Sequence, residues 1–178
     1  MARITYFDPA KAEGPRARAA FAKLPNLNIF RMLGHSGELI EAWRRFGISI
    51  LRHLEVDPQL REVAILRTGV LSGASYEIAQ HEEVCRRVGL SEAKIRAIHD
   101  GPDGAALSEL ERLVMRFTDD VVLNVRAGDA TFDPLLAALG PKQVQELLVA
   151  IGYYMLVCRF LETFDVDLDE QAGAPNAH

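Results

Sequence analysis

Glu77 and His81 lie four residues apart in the stretch Ser75-Tyr76-Glu77-Ile78-Ala79-Gln80-His81. On one helix that spacing puts their Cβ atoms about 5–6 Å apart on the same face. A carboxylate beside an imidazole raises the histidine pKa and orients its ring, so such a pair can relay protons. Tyr76 adds a phenol near the helix N-terminus, where the helix dipole favours an anion. Glu62 sits one helix earlier, and the Ser72-Gly73 break can fold it back toward His81. Arg67 stands in a run, Val63 to Leu71, that is apolar nearly all round. A buried arginine needs an anionic partner, and Glu62, Glu77 or a substrate carboxylate are the candidates. Plainer readings stand beside these. Glu77 and His81 also fit an exposed surface pair of small energetic weight, and Arg67 also fits an arginine snorkelling to the surface.

The elements that must position these residues are helical. Leu39, Trp43, Phe46, Ile50 and Leu54 recur at helical spacing and predict one buried face. Asp57-Pro58 is a helix start, with Asp as N-cap and Pro in the first turn, and the helix it opens runs to about Leu71. A second helix covers roughly Ala74 to Val88 and stops at Gly89. Ser91 caps a short one ending near Asp100, and Gly101-Pro102-Asp103-Gly104 is a turn. Ser108 with Glu111 reads as a capping box, followed by the stripe Leu110, Val114, Phe117 and Val121. A loop around Gly128 precedes a short helix ending at Gly140, and Pro141 opens the last long helix with the stripe Val144, Leu148, Ile151, Met155 and Cys158. Before residue 25 the pattern is irregular, with a short helix at Arg16 to Lys23. No segment alternates with period 2. The expectation is an all-α single domain of about seven helices.

Composition narrows the function classes. The 178 residues carry 20 Lys and Arg against 25 Asp and Glu, a net charge of −5, and 49% are hydrophobic. That apolar fraction excludes a disordered chain, and the acidic balance argues against a partner that is nucleic acid or an anionic membrane. Cys85 and Cys158 are too far apart to suggest a disulfide framework, and a reducing, cytoplasmic setting is expected. There is no Gly-x-Gly-x-x-Gly, no phosphate loop and no serine nucleophile elbow. His35, His53 and His99 are scattered, and no cluster has metal-ligand spacing, so neither metal nor cofactor is expected. Asp165-x-Asp167-x-Asp169 hints at a calcium loop, but Glu170 and Asn176 stand where such a loop wants Gly and Glu.

Several pieces in order carry a resemblance. Arg61-Glu62-x-x-Ile65-Leu66-Arg67, then Tyr76-Glu77-x-x-x-His81, then Gly89-Leu90-Ser91 resemble the carboxymuconolactone decarboxylase and alkylhydroperoxidase D superfamily. Asn28-Ile29-Phe30-Arg31 with the Trp43 helix is similar to its N-terminal half. Tyr154-Met155 and Arg159-Phe160-Leu161 are similar to its C-terminal half. The resemblance covers residues 25–168, with 1–24 as an N-terminal extension and 169–178 as a flexible tail. It implies a helical fold, a homo-oligomer (dimer, trimer or hexamer) and a site near the central motif.

The departure from the family pattern shapes the expected chemistry. The peroxidase branch carries a glutamate, a Cys-x-x-Cys pair and a histidine. Mapped onto this chain, the glutamate is Glu62, the histidine is His81, and the thiol positions are Ala74 and Glu77. Neither can attack a hydroperoxide or resolve a sulfenic acid. The decarboxylase branch needs no thiol: it must stabilise and then protonate a carbanion or dienolate. The resemblance therefore implies a lyase-like enzyme acting on a small carboxylated or lactone substrate. In it His81 delivers the proton, Glu77 tunes it, Glu62 and Tyr76 support, and Arg67 holds a carboxylate. Two alternatives remain: an antioxidant with peroxiredoxin activity that uses Cys85, and a helical oligomer that binds a ligand without turnover.

Overall fold

Helix boundaries fall where capping chemistry puts them. The computed structural model describes residues 1–169. It has a short 3-10 turn at Pro9–Lys11, then α1 (Pro15–Phe21), α2 (Asn28–Leu33), α3 (Gly37–Arg52), α4 (Pro58–Ser72), α5 (Ser75–Arg87), α6 (Glu92–Asp100), α7 (Glu109–Asn124) and α8 (Asp129–Phe164). No strand occurs among the described residues, so the all-α class holds. The Asp57 carboxylate accepts from the Gln59 and Leu60 amides at 2.8 and 3.2 Å, which starts α4. Ser108 and Glu111 form the expected capping box on α7. The tail expected over 169–178 lies, from residue 170 on, outside the described residues, as do Glu170 and Asn176.

The eight helices among the described residues agree with the expectation of about seven. The one element without a counterpart in the sequence reading is α2, whose six residues are too few to show a period. The two helices expected around Gly140 follow one another in α8, which is kinked at Gly140, where the backbone leaves helical geometry at φ 75°, ψ 169°. Residues 15–21, inside the expected N-terminal extension, form α1, which packs against α3. Ala20 there joins Leu33 and Ile40 in a small core.

The core is organised around α4, whose residues Leu60 through Gly69 are all buried. A helix enclosed on every side carries no amphipathic signature, and α4 packs at once on α5, α7 and α8. α8 is the one helix among the described residues long and apolar enough to cross a membrane by length and composition. Its apolarity is that of a core helix, since Leu135, Val144, Leu147, Ile151, Val157 and Leu161 are buried within the bundle. Two expected stripes are corrected. Leu39 and Phe46 are 56% and 49% exposed while Ile40 and Ile50 are buried, because α3 touches the body through α1, α2 and α8. Leu148 is likewise exposed, and Leu147, beside it, enters the core.

Arg67 shows what α4 demands of a buried charge. Its Nε and Nη2 donate to Asp119 on α7 at 2.7 and 3.0 Å, and its Nη1 donates to the carbonyls of Ile98 and His99 at 3.0 and 3.3 Å. The guanidinium thus ties α4 to α7 and closes the C-terminal carbonyls of α6, where a cation is favoured. The partners expected for it, Glu62 and Glu77, are not the ones it has. Removing one member of such a pair strands the other. Arg67→Met is expected to destabilise the fold by roughly 3–5 kcal/mol in urea unfolding. A loss under about 1 kcal/mol, the scale of a surface ion pair, would reject this role.

Candidate active site

The α4–α5 hairpin builds the site. Gly73 ends α4 in the left-handed region at φ 63°, ψ 23°, a conformation that costs a side-chain-bearing residue energy and glycine none. The chain reverses there, and α5 returns along α4. The reversal brings His81 onto Glu62: the imidazole Nδ1 donates to Glu62 Oε2 at 2.8 Å. On the opposite nitrogen, Nε2 stands 3.2 Å from Glu77 Oε2. That second contact is a charge contact rather than an aligned hydrogen bond, and Glu77 Oε2 is buried without an aligned donor. Glu62, Glu77 and His81 are 0%, 5% and 6% exposed. The surface-pair reading of Glu77 and His81 is therefore set aside, and the fold-back of Glu62 expected from the Ser72-Gly73 break is realised.

Arg61 completes the cluster. Its Nε donates to Glu62 Oε1 at 3.0 Å, and its Nη1 donates to the Leu51 carbonyl at 2.9 Å. Arg61 was visible in the sequence only as part of a motif. Tyr154 on α8 sets its ring edge-on to His81, with centroids 4.7 Å apart. Tyr153 packs on Tyr154, and Trp43 and Phe46 of α3 pack on Tyr153. Gly47 makes this approach possible: a Cβ there would stand 2.8 Å from the Tyr153 hydroxyl.

Electrostatics follow from burial and pairing. Burial on its own lowers the pKa of His81, but the hydrogen bond and charge of Glu62, then the close carboxylate of Glu77, outweigh it and raise it to about 10. Burial likewise pushes Glu62 up, but His81 and then Arg61 hold it below the usual carboxylate range. At neutral pH the site is an imidazolium between carboxylates. Tyr76 is different. Burial, then the hydrogen bond and charge of Asp169, push its phenol far up, so it is a neutral donor and not the anion the helix N-terminus suggested. Its hydroxyl donates to Asp169, which also accepts from Gln80 Nε2 at 3.3 Å and the Asn28 amide at 2.7 Å. Asp169, noticed in sequence only within an acidic run, latches the chain's last described turn onto α2 and α5.

Cys85 is fully buried, with Sγ 4.0 Å from the Glu62 carbonyl. Burial, then the charge of Glu62, push its thiol far up, the reverse of what a reactive cysteine needs. Cys158 is also buried and is pushed up to about 12, by burial first and then by Glu77. Among the described residues no group of three His, Cys, Asp or Glu side chains is disposed to hold a metal ion. A groove of about 510 Å³ lies elsewhere, between α7 and α8, and shares no residue with the Glu62–His81–Glu77 cluster.

The profile of the carboxymuconolactone decarboxylase family matches residues 37–120, which include α4, α5 and the whole cluster. Over those residues the chain is similar to the carboxymuconolactone decarboxylase/alkylhydroperoxidase D-like superfamily. No curated protein matches it. Solved structures share its fold. One is a protein of unknown function from Agrobacterium tumefaciens (TM-score 0.72, 21% identity, 77% of this chain and 94% of that one). A second is an uncharacterized peroxidase-related protein from Ralstonia eutropha JMP134 with an alkylhydroperoxidase AhpD core (TM-score 0.80, 13% identity, 96% and 94%). A third is a variant of the debrominase Bmp8 in complex with 2,3,4-tribromopyrrole (TM-score 0.80, 16% identity, 97% and 96%). At these identities the likeness is one of fold. Of Ala74 and Glu77, the residues that the resemblance sets at the thiol positions, Glu77 makes the charge contact with His81.

The paired shifts set a pH window for stability. His81 has a raised folded pKa, so its contribution is full below the unfolded value of 6.5 and is lost as pH rises through about 10. Glu62 has a lowered folded pKa, so its contribution is present above the unfolded value of 4.5 and is lost as pH falls through the folded one. Thermal unfolding across pH is expected to show a maximum between the two unfolded values, with a decline on the alkaline side that His81→Gln removes. An alkaline flank identical in wild type and variant would contradict the assigned charge on His81.

Proposed function

We propose that this protein is a general acid–base enzyme that moves protons at carbon in a small lactone or enolisable substrate, with His81 as the proton carrier. The observation that supports the reading is the buried imidazole with a carboxylate on each nitrogen, 2.8 Å from Glu62 and 3.2 Å from Glu77. Glu62, held by Arg61, orients the ring and stabilises its charged form. That is the part a buried carboxylate plays behind a catalytic histidine. Glu77 is the group on the far nitrogen. An imidazolium there can hand its proton to a developing carbanion, and Glu77 Oε2 can take one in return. A positioned acid–base group of this kind contributes about 10²–10⁴-fold in rate.

The proton-transfer half of the decarboxylase expectation is the half this geometry favours. The carboxylate-binding half has less support, because the arginine expected to hold the carboxylate is engaged by Asp119 and two carbonyls. The peroxidase alternative has less support still, since Cys85 is buried with a raised pKa. Likeness to a superfamily fixes the fold more firmly than the reaction.

Isotope exchange tests the reading whatever the natural product is. Small lactones, enolisable ketones and keto acids are incubated with the protein in deuterium oxide, and deuterium entry at carbon is followed by NMR. Wild type is expected to exchange at least one of them above buffer, and His81→Asn to lower that rate by about 10²-fold or more. Exchange that persists unchanged in His81→Asn, or none above buffer with any of them, counts against the proposal.

A further inference from the structure

The cluster presents an acceptor to an incoming ligand and no uncommitted cation of its own. Arg61 gives Nε to Glu62 and Nη1 to the Leu51 carbonyl. Arg67, the other α4 arginine, gives Nε and Nη2 to Asp119 and Nη1 to the carbonyls of Ile98 and His99. His81 has a carboxylate at each nitrogen. Against these stands Glu77 Oε2, buried and without an aligned donor. A buried polar atom is ordinarily satisfied, and an exception asks for an explanation. The packing against His81 is aromatic: Tyr154 against His81, Tyr153 against Tyr154, and Phe46, half exposed, against Tyr153.

We infer that the site takes an uncharged, ring-sized ligand whose O–H or N–H donates to Glu77 Oε2, that is, a phenol, an enol or an azole, and that it refuses a carboxylate of the same size. The inference rests on the acid–base reading above and deepens it by naming the class of substrate. An anion at this point would find the His81 and Arg61 cations already committed to Glu62 and Glu77, and would lose its hydration in a water-poor interior without a free charge to pair with. A neutral donor satisfies the orphaned oxygen and lays its ring along Tyr154 and Tyr153. Glu77 is then the specificity residue. Its replacement by glutamine keeps the shape but offers N–H groups in place of an acceptor-only carboxylate. Sites built around one hydrogen-bond polarity discriminate sharply against the other, because the mismatched ligand leaves a buried polar group unpaired.

The test uses phenol, anisole and benzoate, titrated into protein with 15N-labelled histidine while the His81 ring signals are followed by NMR. Phenol is expected to shift those signals saturably. Anisole, the same ring without a donor, is expected to bind at least about tenfold more weakly, and benzoate to give no saturable shift. In Glu77→Gln the preference for phenol over benzoate is expected to fall by at least about tenfold. Equal binding of phenol and anisole, benzoate binding as tight as phenol, no saturable response to phenol, or an unchanged preference in Glu77→Gln would each overturn the inference. Should Glu77→Gln fail to fold, the comparison of the three probes on wild type decides it alone. The titration reads binding and not turnover. Donor selectivity without deuterium exchange would sink the acid–base reading, and exchange without donor selectivity would sink only the ligand class.

Discussion

The contact between Glu62 and His81 is the constraint around which the rest is arranged. A carboxylate with no exposure at all, in the middle of a helix packed on four others, is costly unless charge and hydrogen bonds surround it. Glu62 meets that demand with Arg61 on one oxygen and His81 on the other. The requirement fixes the register of α5 against α4, since only one alignment puts the imidazole on Glu62 Oε2. It also explains the left-handed turn at Gly73, where the chain must reverse within a few residues. Replacing such a buried ionic cluster with apolar residues of similar volume is often neutral or stabilising. Its presence here is therefore better read as function than as stability.

α4 serves two electrostatic systems that do not meet. Toward α5 it presents Glu62 with Arg61, and toward α6 and α7 it presents Arg67 with Asp119. Residues five apart on a helix differ by about 140° around the axis, so Glu62 and Arg67 face different neighbours despite their nearness in sequence. One system holds the bundle together, and the other holds a titratable ring in place.

Glu77 stands where the resemblance assigns a thiol, and a carboxylate supports a different kind of chemistry from a thiol. A thiolate offers a nucleophile and a redox couple. A carboxylate offers only proton acceptance and charge. Cys85 and Cys158 are both buried with their thiols pushed up, so neither is placed as a reactive thiol. Tyr76, turned away to Asp169, stands beside Glu77 in sequence but belongs to the latch that ties the segment after α8 to α2 and α5.

Much was legible in the sequence because the signals are local. The Asp57-Pro58 start, the Ser108/Glu111 box, the break at Gly140 and the four-residue spacing of Glu77 and His81 all act within one or two turns of chain, where backbone geometry alone decides the outcome. The all-α class and the proximity of Glu62 to His81 came from such signals, and the superfamily resemblance from their order. What local chemistry cannot encode is which neighbour a side chain meets across the core. The partner of Arg67 is 52 residues away on α7, and that of Tyr76 is 93 residues away, beyond α8. The exposure of Leu39, Phe46 and Leu148 depends on how far adjacent helices reach. The protonated state of His81, the orphaned oxygen of Glu77 and the silence of Cys85 all arise from burial. Burial is a property of the assembled bundle, because desolvation is set by everything packed around a group and not by the residues beside it in the chain.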